Sequence, residues 1–95
     1  MIIVTAPLQV WTGEEGSSHF LRLPFEAAGE IHEHARALRR AFGSVRVEAR
    51  IGAIVWRTSA FPVKGGGYFL PMKAEVCRKS KIVVGDEVTV ALQLL

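Results

Sequence analysis

Arg57 and Ser59 lie two residues apart on one strand face, and Lys64-Gly65-Gly66-Gly67-Tyr68 follows shortly after. Guanidinium and ammonium groups beside a glycine run are the ingredients of an anion site. The guanidinium fork matches carboxylate and phosphate, and backbone N–H groups of a glycine loop can turn toward the same charge. The spacing is not that of a P-loop or a dinucleotide fingerprint, because no helix of the right length follows the glycines. A plain hairpin loop is the competing reading. A small-ligand site, if the chain has one, is lined by Arg57, Ser59, Lys64, Gly65, Gly66, Gly67 and Tyr68.

A second basic group consists of Arg46 and Arg50 on a strand and Arg36, Arg39 and Arg40 at a helix end. This set suits the phosphates of a nucleic acid, whose binding would weaken steeply with salt. Its competing reading is a solvated face, with Glu48 and Arg57 forming a cross-strand ion pair worth under about 1 kcal/mol.

Other reactive side chains do not assemble. His32 and His34 are two apart on a helix and face different directions. His19 is remote from both, so a metal site lacks its ligands and no cofactor is implied. Cys77 is the one cysteine. It sits beside Val76 on the packed side of a short helix and reads as a buried structural thiol. Trp56 falls on the apolar face of its strand, whereas Trp11 at a strand end is ambiguous. No Ser/His/Asp set or paired-carboxylate arrangement is present, which argues mildly against an enzyme.

The elements that must position these residues are legible. The chain has 95 residues, a net charge of +3 and 49% hydrophobic residues, which bounds it to one globular domain. The charge permits an anionic partner without demanding one. A single cysteine favours a reducing compartment. The apolar start Met1–Val4 lacks a basic n-region and reads as an entering strand rather than a signal peptide. No stretch approaches a membrane span, so the expectation is a cytoplasmic protein.

Strand one is read as Val4 to Trp11, followed by the turn-rich run Gly13–Ser18 and strand two, His19 to Leu23. After Pro24, Ala28, Ile31, Ala35, Leu38 and Phe42 step by three and four and define an amphipathic helix ended by Gly43. Gly29 inside it costs about 1 kcal/mol relative to Ala and hints at close packing against a neighbour. Strand three, Val45 to Ile51, alternates apolar and charged residues. Gly52-Ala53 suits a type II′ turn. That turn places Ile51 opposite Ile54, Ala49 opposite Trp56, Glu48 opposite Arg57 and Arg46 opposite Ser59. Strand four ends at Pro62, and strand five is Tyr68 to Leu70. Pro71 opens a short helix through Ser80, and Gly85-Asp86 turns into a last strand carrying Val88, Val90, Leu92 and Leu94. Gly85 is expected at positive φ, with Asp86 bonding local backbone.

The order strand, strand, Leu-(x)-Pro, helix, Gly-Ser/Asp, strand occurs twice, over about residues 1–51 and 52–95. The reading is a single mainly-β domain: a six-stranded small closed barrel built from two pseudo-twofold ββαβ halves, with two helices.

Several pieces together, Arg57-Thr58-Ser59, Phe61-Pro62, Gly66-Gly67-Tyr68, Leu70-Pro71, Arg78-Lys79 and Val84-Gly85-Asp86-Glu87-Val88, resemble the bacterial family called domain of unknown function nineteen hundred and five. Phe20-Leu21-Arg22-Leu23-Pro24 and the Gly52 hairpin extend the resemblance over nearly the whole chain. The resemblance implies a small closed barrel of about six strands, often found beside a second domain of the bacteriocin-protection type, and brings no established activity. A weaker similarity links Leu-Pro, the short helix and Gly-Asp-x-Val-x-Val to the GD box of cradle-loop barrels, including DNA-binding antitoxins and transition-state regulators. Those proteins supply one such unit per chain and close by dimerising. A chain with two units can close its own barrel as a monomer, and a dimer is the alternative.

The functional expectation is a non-catalytic binding or accessory module for a small anionic ligand or a protein partner. Its rivals are a nucleic-acid binder using Arg36, Arg39, Arg40, Arg46 and Arg50, and an enzyme with its site near Arg57, Ser59 and Tyr68.

Overall fold

In the computed structural model the Gly52-Ala53 turn sets the central hairpin. Gly52 has φ of 57° while Ala53 stays at negative φ, which is the type II′ pattern rather than type I′. The turn fixes the register of β3 (Val45–Ile51) on β4 (Ile54–Pro62). Ile51 pairs Ile54, Ala49 pairs Trp56, Glu48 pairs Arg57 and Arg46 pairs Ser59, as the turn chemistry requires. Val45, Val47, Ala49, Trp56 and Ala60 point inward and are buried.

The structure describes residues 1–37 and 43–95. The remaining elements are β1 (Ile2–Gly13), β2 (Gly16–Arg22), α1 (Phe25–Ala37), β5 (Tyr68–Met72), α2 (Ala74–Ser80) and β6 (Glu87–Leu94). The six strands close into an antiparallel barrel in the order β1-β2-β5-β4-β3-β6. Exchanging β1, β2 and β3 for β4, β5 and β6 leaves that neighbour order unchanged, which is the connectivity two ββαβ halves would give. Closure gives every strand two neighbours: β1 pairs β6 through Ile2–Pro7 and β2 through Leu8–Gly13, while β4 meets β5 at Phe61 and Pro62. Alternate residues fill the interior: Val4, Ala6, Leu8, Leu21, Leu70, Met72, Val88, Val90 and Leu92 are all buried. Removing a side chain such as Leu21 or Leu70, each with no exposed surface, would cost about 2–5 kcal/mol.

Two boundaries differ from the sequence reading. The run Gly13–Ser18 is not a long turn. Gly13 pairs Gly16 across the two residues Glu14 and Glu15, and the ladder continues through Thr12 opposite Ser17 and Trp11 opposite Ser18. Cross-strand pairing recruits residues whose local preference is for turns. Pro71 does not open α2; it lies in β5 opposite Phe20. The inward alternation of Tyr68, Leu70 and Met72 outweighs the preference of proline for a helix start.

Helix α1 buries Ala28, Ile31 and Ala35, joined by Ala27; Leu38 and Phe42 of the expected stripe lie outside the described residues. Helix α2 buries Val76 and Cys77. A 2.9 Å Lys79–Glu75 ion pair spans its exposed side, and the Lys79 ammonium holds the Glu75 carboxyl below its ordinary value. The Gly85-Asp86 corner behaves as its residue types dictate. Gly85 takes φ of 96°, and the Val83 N–H donates to Asp86 Oδ2 at 2.9 Å. Backbone bonds Leu8 N–H to Asp86 O and Gly85 N–H to Leu8 O, both 2.9 Å, tie the corner to β1.

Candidate anion site

Strand β2 ends on an alternation that buries Leu21 and turns Arg22 outward. Pairing of Arg22 with Phe69, and a backbone bond from Leu23 N–H to Tyr68 O at 3.0 Å, bring this strand end against the glycine loop. Gly65, Gly66 and Gly67 take φ of 92°, 112° and 87°, a succession that only glycine tolerates. The loop closes on itself through Gly66 N–H to Val63 O and Val63 N–H to Gly67 O, both 2.9 Å. Arg22 Nη2 donates to Gly66 O at 3.2 Å. A Cβ at Gly67 would stand 3.2 Å from the same nitrogen, so a side chain there would crowd the guanidinium.

Between this clasp and α1 opens a cavity of about 530 Å³. Leu23 and Tyr68 form its floor. Ala28, Gly29 and His32 present one face of the helix to it, and Phe25 stands at its rim. Phe25 is 93% exposed, an unusual state for a large aromatic. No residue lining the cavity is acidic. None of the ion pairs among the described residues involves Arg22. A cation with three or more unused N–H donors beside an apolar floor suits a carboxylate or phosphate attached to an apolar body.

The residues singled out in the sequence divide between places. Gly65, Gly66, Gly67 and Tyr68 line this cavity, but Arg57, Ser59 and Lys64 do not. Tyr68 faces inward on β5 and is buried, whereas Arg57 and Ser59 alternate outward on β4 between buried Trp56 and Ala60. The three groups of the enzyme reading therefore do not converge. Within the loop the Gly66 amide is spent on Val63 O, and Gly66 O accepts from Arg22. Arg22 was missed because nothing in its spacing distinguishes it from any outward strand arginine; the cross-strand neighbours that hold it come from distant segments.

Of the second basic group, Arg46 and Arg50 are exposed on β3, and Arg57 lies 3.7 Å from Glu48. Arg36 is on α1, bonded to Glu33 at 3.1 Å. Arg39 and Arg40 lie outside the described residues. Gly29 has nothing within 4 Å of where its Cβ would stand, so the close packing expected of it is absent and it borders open space. Cys77 is buried, and burial pushes its thiol up. Among the described residues no cluster of ligating side chains could hold a metal ion, and no helix is long and apolar enough to cross a membrane.

A family model described as Domain of unknown function (DUF1905) matches residues 5–92. The chain belongs to this family. The match runs from β1 through β6, so every strand of the barrel and both cavity walls fall within the family's domain. No curated protein matches the chain.

Proposed function

We propose that this DUF1905 domain is a non-catalytic binding module for a small anionic ligand, taken into the cavity between the glycine loop and α1. The observation that carries the reading is the Arg22 guanidinium, clasped by Gly66 O above a cavity lined by no acidic residue. The ligand carries a carboxylate or phosphate for Arg22 and an apolar body for Leu23, Ala28 and Phe25. His32 adds a second nitrogen donor at the helix wall.

Titration of isotopically labelled protein with phenyl phosphate, followed by amide chemical shifts, tests this directly. Shifts should concentrate at Gly65–Gly67, Ala28, Gly29 and His32. Arg22→Gln should weaken binding about ten-fold or more, the usual worth of a charge-assisted bond. Arg22→Lys should recover only part, because an ammonium lacks the fork. Shifts confined to the β3–β4 face, or an unchanged affinity in Arg22→Gln, would remove the assignment.

A further inference from the structure

The outer wall of the barrel carries a row of aromatic side chains that no periodicity in the chain announces. Trp11, Phe20, Phe69 and Phe61 come from β1, β2, β5 and β4, which are consecutive neighbours around the barrel. Trp11 pairs Ser18, Phe20 pairs Gln9 and Pro71, and Phe69 pairs Arg22 and Phe61, so the outward row climbs diagonally by two residues from Trp11 to Phe20 and by two more to Phe69. Three inter-strand steps with that stagger make the row about 20 Å long. Phe61 and Phe69 stack with centroids 5.6 Å apart and planes 25° apart. Phe20 meets Phe69 edge-on at 6.0 Å. Trp11 is 64% and Phe61 40% exposed. A shallow apolar groove of about 500 Å³ runs along the row between Trp11 and Phe69.

Trp11 reaches over the hairpin: a Cβ at Gly13 would collide with the far edge of its indole ring, so the ring passes over the bare backbone two residues ahead. Beyond Phe61 the same outer face becomes cationic. Arg46 sits opposite Ser59, and Arg57 follows on β4. Arg22 flanks Phe69 on the other side. The carboxylate among them is Glu48, placed against Arg57; Glu14 and Glu15 lie past Trp11 at the hairpin tip.

We propose that this face binds single-stranded nucleic acid. Bases stack on the exposed rings of Trp11 and Phe61, with Phe20 and Phe69 as the half-buried apolar surface between them, and the backbone phosphates meet Arg22, Arg46 and Arg57. Stacking on an exposed ring tolerates any base, while arginines along the row supply the charge complement. The length suits about four nucleotides, the lower end for a small barrel. Of the nucleic-acid set first considered, Arg36, Arg39, Arg40, Arg46 and Arg50, only Arg46 is used here, and the proposal does not rest on the anion-cavity reading. Trp11 and Phe61 are not needed to line that cavity.

The test is fluorescence anisotropy of a labelled oligothymidylate of about twelve nucleotides, titrated with the full chain over a range of salt. Three phosphate contacts predict a log–log salt slope of about −2. Trp11→Ala and Phe61→Ala should each weaken binding by about ten-fold; the melting temperature should be unchanged in Trp11→Ala and somewhat lower in Phe61→Ala, which loses its stack on Phe69, with both variants folded by circular dichroism. Gly13→Ala, which displaces the indole without removing it, should weaken it in the same direction. Arg46→Gln should make the slope shallower by about 0.7. Failure to bind at low salt would overturn the proposal. So would a duplex of the same sequence binding as tightly, or an affinity indifferent to Trp11→Ala and Phe61→Ala. A dimer by light scattering that Trp11→Ala dissolves would overturn it too, since the face would then be occupied by a second copy. Loss of phenyl phosphate binding in Arg22→Gln, with oligonucleotide binding reduced only modestly, would separate the two sites.

Discussion

Replacing Gly29 tests both the helix and the cavity it borders. The position is in the interior of α1, exposed, and faces the cavity with nothing within 4 Å of an added Cβ. Gly29→Ala therefore brings no clash and no new packing. What changes is helix propensity, worth about 0.8–1.0 kcal/mol in favour of alanine. For a domain of this size that raises the melting temperature by roughly 4–8 °C. Gly29→Leu should stabilise nearly as much, because leucine follows alanine closely in the helix. Its side chain, however, projects into the cavity of about 530 Å³ beside Arg22. The two variants should therefore part company in binding. Phenyl phosphate affinity should stay close to wild type in Gly29→Ala and fall sharply in Gly29→Leu. Urea denaturation followed by far-ultraviolet circular dichroism gives the stability, and the amide-shift titration gives the affinity. A destabilised Gly29→Ala would refute the open surroundings of Gly29. A stable Gly29→Leu that binds as wild type would place the ligand elsewhere.

Two further outcomes follow from local geometry. Lys81 caps α2 in the left-handed region, at φ of 57° and ψ of 41°, which costs a non-glycine residue about 1–2 kcal/mol. Lys81→Gly removes that cost against roughly 0.4–1 kcal/mol of added unfolded-chain entropy, so chemical denaturation should show a net gain of about 0.5–1 kcal/mol; a loss would mean the lysine side chain contributes more than its cap geometry costs. Burial raises the Cys77 thiol above its ordinary value of 9.0, so the folded chain keeps that proton after the unfolded chain has lost it. Its contribution to stability is complete below the ordinary thiol value and is lost as pH rises above it, by at most about 1.4 kcal/mol per pH unit. Cys77→Ala should flatten the difference between denaturation curves at pH 8 and 10, and equal pH slopes in the two proteins would contradict this.

The β3–β4 hairpin shows what local chemistry determines by itself. A glycine at the first turn position admits a type II′ turn, the turn dictates the register, and strict alternation then decides which residues face the core. Every pair from Ile51–Ile54 to Arg46–Ser59 follows from those short-range rules. The period of three and four in α1 and the Gly85-Asp86 corner are legible for the same reason, since each depends on neighbours a few residues away; the closed six-stranded barrel is legible from the repeated order of elements and the family resemblance. Pro71 and the Gly13–Ser18 run mark the limit: their intrinsic preferences are overruled once a neighbouring strand offers a ladder.

Both binding faces depend on tertiary structure. Arg22 meets the glycine loop, and Trp11, Phe20, Phe69 and Phe61 meet one another, only because the barrel closes in the order β1-β2-β5-β4. The residues of each face are scattered along the chain, so no spacing rule connects them. A sequence of this kind determines by itself which side chains point in and which point out. Which outward side chains become neighbours is decided by strand order, through long-range pairings whose partners no local pattern names.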